Sequence, residues 1–176
     1  MSETNSIPVV IETGFGAIFI EVYPALAPVT AANFMQYVDE DRFTDACFYR
    51  VVRMDNQPND AIKIEVIQGG LKSDDHAERL PAILHETTAQ TGLLHQNGAV
   101  SMARLNPGSA CSEFFICIND QPELDFGGQR NPDGMGFAAF GKVTQGMDVV
   151  REIQAHPHEG QQLVKDVKMK VRRVEG

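Results

Sequence analysis

The chain has 176 residues, 43% of them hydrophobic, and a formal net charge of −9. That length suits one domain with a sizeable core, and the acidic balance argues against nucleic acid as a default partner, because phosphate binding needs a basic face. No apolar run approaches the roughly 18 residues of a membrane span, so a membrane role is not expected. The opening residues, MSETNSIPVV, lack the basic and apolar regions of a secretory signal. A cytoplasmic address is therefore expected, with a mature periplasmic form as the alternative. Cys47, Cys111 and Cys117 are odd in number and two lie in apolar runs, which reads as free thiols rather than a disulfide scaffold. A single domain over 1–176 is expected, with 1–6 flexible.

Val9–Thr13 and Ala17–Val22 are strand-like and joined around Gly14-Phe15-Gly16, which predicts a hairpin. Pro28 suits the first turn of a helix, where its missing N–H is harmless. Ala27, Ala31, Phe34 and Val38 then recur at helical spacing. That helix should stop near Asp39–Arg42, without a glycine cap. Cys47–Val52 (CFYRVV) is a buried-strand candidate with Arg50 inside it, where the bland reading is an arginine reaching from a sheet edge to water. Arg53–Ala61 is polar and turns at Pro58-Asn59-Asp60. Ile62–Gln68 alternates, with Ile64, Val66 and Gln68 on one face and Glu65 and Ile67 opposite; Gly69-Gly70 should end the strand.

Residues 72–96 are polar and give no clear pattern. Ala99–Ala103 is apolar and of strand length. Arg104–Cys111 contains Asn-Pro-Gly and must turn. Glu113–Ile118 (EFFICI) reads as a buried strand, with Phe114, Ile116 and Ile118 facing one way and Glu113, Phe115 and Cys117 the other. An acid beside an aromatic on the second face suggests a peptide-binding groove. Asn119–Pro122 is a turn and Phe126–Gly136 a Gly-rich loop. Phe137–Val143 is a strand, Gly146–Gln154 a short helix, and Val167, Met169 and Val171 alternate along a half-exposed strand. Many short strands with two separated helices predict a mainly-β barrel or sandwich. His156 and His158 flank a proline, and polar turn residues explain them better than a metal site. Cys117 inside EFFICI reads as an inert buried thiol rather than a nucleophile.

Five blocks, in order, carry a family resemblance: Phe48-Tyr49-Arg50-Val51-Val52; Ile67-Gln68-Gly69-Gly70; Ser101-Met102-Ala103; Ser112 with Phe114-Phe115-Ile116; and Phe140-Gly141-Lys142-Val143 followed by Gly146–Val150. The chain resembles the cyclophilins, the peptidyl-prolyl isomerase family, over about Val9 to Val174. The resemblance implies a closed eight-stranded antiparallel β-barrel with two capping α-helices. It also implies rotation of X-Pro bonds in peptides and folding proteins, with no covalent intermediate, metal or cofactor. The alternative is a non-catalytic proline-peptide binding module or chaperone on the same barrel.

Twisting an amide works against a barrier of roughly 18–20 kcal/mol. The twisted imide nitrogen regains its lone pair, so a permanently charged planar donor aimed at it would favour that state. The resemblance places the catalytic arginine at Arg50, the backbone-binding glutamine at Gln68, and walls of the proline pocket at Val66, Phe115 and Leu124. Ala103, Arg104, Glu113, Glu123 and Phe137 match other substrate-facing positions. Several depart from the usual type: Arg104 stands for an asparagine, Glu113 for a glutamine, Glu123 for an aromatic that is often tryptophan, and Phe137 for a histidine. Glu65 takes the slot of an aromatic, with Met54 or Ile64 as candidates to fill the gap. The stretch between Arg50 and Gln68 is also longer than usual. Three acids around the groove predict a preference for Lys or Arg beside the proline and weak cyclosporin binding. Expected partners are proline-containing peptides and unfolded or folding proteins, bound by a monomer, with neither nucleic acid nor membrane.

Overall fold

A tight hairpin starts the barrel. β1 (Ile7–Thr13) and β2 (Gly16–Val22) pair antiparallel from Ile7↔Val22 to Thr13↔Gly16, turning at Gly14-Phe15. The computed structural model of the protein describes residues 5–174. Of the six residues expected to be flexible, 1–4 lie outside the described range. Helix α1 (Pro28–Asp39) begins on its proline and ends at Glu40 without a glycine. Its N-terminal amides, which have no partner within the helix, are taken by a distant acid: Glu86 accepts from Val29 N at 3.1 Å and Thr30 N at 2.8 Å.

The remaining elements are β3 (Cys47–Val52), β4 (Val66–Gly70), α2 (Thr88–Thr91), β5 (Ala99–Met102), β6 (Phe114–Cys117), a 3-10 turn (Pro122–Leu124), β7 (Ala138–Gln145), α3 (Met147–Gln154), β8 (His158–Glu159) and β9 (Gln162–Arg173). Strand order is β1-β2-β7-β5-β6-β4-β3-β9, and β9 pairs back onto β1. Eight antiparallel strands thus close a barrel, and the two-residue β8 is a hairpin arm of β9. Helix α1 packs on β7 and β9, and α3 on β2, β3 and β4. The short helix α2 went unread in the sequence, although Thr87 and Gln90 form a reciprocal capping box at its start.

One strand differs from the alternation pattern. The expected strand Ile62–Gln68 begins only at Val66 and runs through Gly69-Gly70. Ile64 has no sheet partner because Gln57 takes both its backbone groups, accepting from Ile64 N at 3.1 Å and donating to Ile64 O at 2.8 Å. Gly69 does not stop the strand. A Cβ there would lie 2.6 Å from Cys47 O, so glycine is what lets β4 sit this close to β3.

The barrel wall separates two apolar clusters. Inside, Phe34 of α1 meets Phe114 edge-on at 5.4 Å, and Phe48, Ile67, Ile116 and Phe140 are fully buried around them. Outside, Val52, Ile64, Val66, Phe115, Cys117 and Leu124 form a second, smaller cluster, with Ala103 and Phe137 against it. Strand β6 feeds both, because its side chains alternate.

Candidate active site

The outer cluster floors one end of a cleft of about 570 Å³ that crosses β3, β4 and β6. Antiparallel register sets its centre. Arg50 pairs with Gln68, Gln68 pairs with Phe115, and Phe115 pairs with Ser101. Three residues far apart in sequence therefore stand side by side on adjacent strands, facing the cleft.

The Arg50 guanidinium is held by neutral amide oxygens. Nη1 donates to Gln68 Oε1 at 2.7 Å, while Nε and Nη2 both donate to Gln161 Oε1, at 3.0 and 2.7 Å. Burial, and then the nearby Arg130 charge, hold its pKa below the usual guanidinium value. It stays protonated at any physiological pH. Gln161, in the turn before β9, was not singled out in the sequence. It lies 111 residues from Arg50, and no local pattern encodes that contact.

The apolar end is built on Phe115. Phe137 meets it edge-on at 5.4 Å and 89°. Val66, Ala103 and Leu124 complete the wall, and Ile64, rather than the exposed Met54, fills the gap left by Glu65. Behind Phe115 the His95 ring stacks at 6.0 Å and 15°. His95 Nδ1 contacts Asp125 Oδ1 at 2.7 Å and Nε2 contacts Ser101 Oγ at 2.8 Å. A linked serine, histidine and carboxylate can activate a nucleophile. Here Ser101 is wholly buried and no substrate could reach it, so the trio works as a rigid backing for the Phe115 ring. His95 lies in the 72–96 stretch, where no local pattern marks it for this role.

The departing positions sort out differently from the sequence expectation. Glu123 does not line the cleft, since its carboxylate turns back to accept from Gln129 N at 2.9 Å. Glu65 also points away, to Asn119 Nδ2 at 3.0 Å. Glu113 does line the cleft, but four donors occupy its oxygens: Arg79 Nη2 at 2.8 Å, Tyr49 Oη at 2.7 Å, Lys72 N at 3.0 Å and the Ser112 hydroxyl. Charged side chains on the lining are Arg50, Lys72, Arg79, Arg104 and Arg130 against Asp74 and Glu113. The acid-lined cleft expected from sequence is absent, because its acids either face elsewhere or are already paired.

Arg104 is spent on the rim. Its side chain is 1% exposed, forks onto Asp133 at 3.0 and 3.1 Å, and donates to Gly136 O at 3.0 Å. The guanidinium lies 5.0 Å over the Phe137 ring, and its hydrogen bonds hold the Asp133 carboxyl below the usual carboxylate range. Arg130 anchors the polar excursion from the other side, donating to Ile62 O at 2.6 Å and Gln57 Oε1 at 2.8 Å. All three cysteines are free. Burial pushes the Cys47 thiol up to about 11 and raises Cys117 further, so neither is a nucleophile at neutral pH. Among the described residues no His, Cys, Asp and Glu side chains gather as a metal site.

Comparison with known proteins follows the same lines. A family model described as cyclophilin type peptidyl-prolyl cis-trans isomerase matches residues 8–174. The chain is 35% identical over 145 residues to a peptidyl-prolyl cis-trans isomerase of Streptomyces antibioticus, covering 82% of this chain and 81% of the relative. It is 37% identical over 147 residues to one of Acinetobacter baylyi, covering 83% and 71%. Among solved structures, a cyclophilin type isomerase of Cryptosporidium parvum superposes with a TM-score of 0.73 at 17% identity, covering 97% of this chain and 99% of the other. The same protein solved in the presence of the dipeptide Ala-Pro gives 0.71 at 18% identity, covering 96% and 99%.

Proposed function

The chain belongs to the cyclophilin-type peptidyl-prolyl cis-trans isomerase family, and from that premise we propose how its groove divides the work of rotating an X-Pro bond. The proline ring enters the apolar end, against Phe115, Leu124, Phe137, Val66 and Ala103. The flanking chain lies over Gln68, which hydrogen-bonds its backbone. Arg50 points its fixed charge at the imide nitrogen. As the C–N bond twists, that nitrogen gains a lone pair, and a donor already in place favours the twisted state over both planar ones. No bond breaks, so the site requires neither nucleophile nor cofactor. Uncatalysed rotation takes tens to hundreds of seconds, which makes folding chains the natural clients. The groove is complete within one chain, which supports action as a monomer.

One observation carries this reading: Arg50, Gln68 and Phe115 occupy a single cross-strand row, with Arg50 held only by neutral amide oxygens. A charge so held keeps its field directed into the groove. The test is a protease-free isomerisation assay on a short X-Pro peptide. Arg50→Ala should lower kcat/KM roughly tenfold or more with the fold intact, and Lys should rescue poorly because it lacks the planar fork. Full activity in a folded Arg50→Ala protein would refute the assignment.

Weak cyclosporin binding is also proposed. The support is now the missing aromatic N–H donor at Glu123, whose carboxylate is committed to Gln129. Titration of wild type against Glu123→Trp should show tighter binding in the variant.

A further inference from the structure

Arg50 and Gln68 are the near end of a longer hydrogen-bonded chain. Arg50 Nη1 donates to Gln68 Oε1, Gln68 Nε2 donates to Tyr49 Oη at 3.3 Å, and Tyr49 Oη donates to Glu113 Oε2 at 2.7 Å. Arg79 Nη2 closes the far end on Glu113 Oε1 at 2.8 Å. The members come from β3, β4, the residue before β6 and the 72–96 segment. Their polarity has only one solution. A guanidinium can only donate and a carboxylate can only accept. Tyr49 must therefore give its hydrogen to Glu113 and receive one from Gln68. Gln68 must in turn present its nitrogen to Tyr49 and its oxygen to Arg50. Burial, and then the Glu113 charge, raise the Tyr49 phenol well above its ordinary range, so it remains a donor.

We propose that Tyr49 and Glu113 are positioning residues that fix the orientation of the Gln68 amide. An amide side chain has two nearly isosteric orientations, and the wrong one would set an N–H against the Arg50 N–H and an oxygen against the substrate side of the groove. With the phenol and carboxylate in place, one Gln68 hydrogen goes to Tyr49 and the other is left for the peptide backbone. Glu113 thus acts through Tyr49 and Gln68 and does not attract substrate charge. Its four donors leave it no free lone pair, and Arg79 compensates it at 13% side-chain exposure. This inference rests on the groove reading above and assigns Tyr49, Glu113 and Arg79 a part in it.

A double-mutant cycle tests it in the full-length chain, comparing wild type, Tyr49→Phe, Gln68→Ala and the double variant by kcat/KM and thermal melt. Losing one such hydrogen bond should lower kcat/KM roughly three- to tenfold in Tyr49→Phe. In the Gln68→Ala background the same change should cost nothing further, because no amide is left to orient. A merely structural tyrosine would lower both backgrounds alike. Glu113→Gln can turn its own N–H toward Tyr49, so it should show the same loss and the same dependence on Gln68, and it carries the test should Tyr49→Phe fail to fold. An unchanged Tyr49→Phe, or an equal loss with and without Gln68, would overturn the proposal. A wild type without isomerase activity would strike the groove reading itself.

Discussion

The two faces of the barrel wall are built from the same strands by different rules. On the inner face, Phe48, Ile67, Phe114 and Ile116 bury apolar surface against each other and against α1. On the outer face, the polar side chains and the groove rim are aimed by polar neighbours. Arg50 is held by Gln161, Gln68 by Tyr49, and Phe137 by Arg104. Burial on the inner face is non-directional, and backbone ladders close the barrel without help from side-chain hydrogen bonds. Directional hydrogen bonds are needed to place a charge on a nitrogen that changes shape. The inner face should accordingly govern stability and the outer face rate.

The sharpest way to break that division is the adjacent pair on β6. Phe114→Ala should cost roughly 3–5 kcal/mol of stability, as an uncompensated cavity in a closed core. Phe115→Ala should cost less, because its cavity opens to the cleft, and should raise KM instead. Thermal melts and kinetics on both would show a misassigned face if the pattern reversed. Next in size is Gln161→Ala. It removes two hydrogen bonds from Arg50 and should lower kcat/KM several-fold while barely moving Tm, whereas a large Tm loss with normal kinetics would make Gln161 a structural residue.

Smaller still is Arg104→Ala. Releasing the Phe126–Gly136 rim should raise KM a few-fold and leave kcat nearly unchanged, and Asp133→Asn should show a weaker version of the same split. The smallest effect concerns substrate charge. With Glu65 and Glu123 turned away and Glu113 saturated, peptides with Lys before proline should show no advantage over Ala at low salt. A clear Lys preference would mean that Glu65 or Glu123 turns into the groove in solution.

The same contrast explains what could be read from sequence. Period-2 alternation marked Phe114 for the interior and Phe115 for the groove, and it set Val66 and Gln68 on one face. Helical spacing and Pro28 located α1. These are local signals, each held within a few residues. The polar framework has no such signature. Arg50 to Gln161 spans 111 positions, Arg130 to Gln57 spans 73, and Arg79 to Glu113 spans 34. A sequence shows that such groups exist but not which will meet. For that reason Glu65, Glu113 and Glu123 read as one acidic rim, while the fold sends them to three separate places. The late start of β4 also rests on a polar contact that alternation does not show, since Gln57, seven positions away, takes the backbone of Ile64.

The closing strand has a consequence for synthesis. β9 is the last of the eight barrel strands in chain order, yet it pairs with β1 on one side and β3 on the other. While the nascent chain lengthens at roughly 5–20 residues per second, any sheet that the first seven staves make before β9 would have two open edges. Those edges, β1 and β3, are apolar and available to any neighbouring strand until β9 emerges. For that interval, on the order of seconds, such a sheet would stand open to pairing with another chain until the last stave arrives.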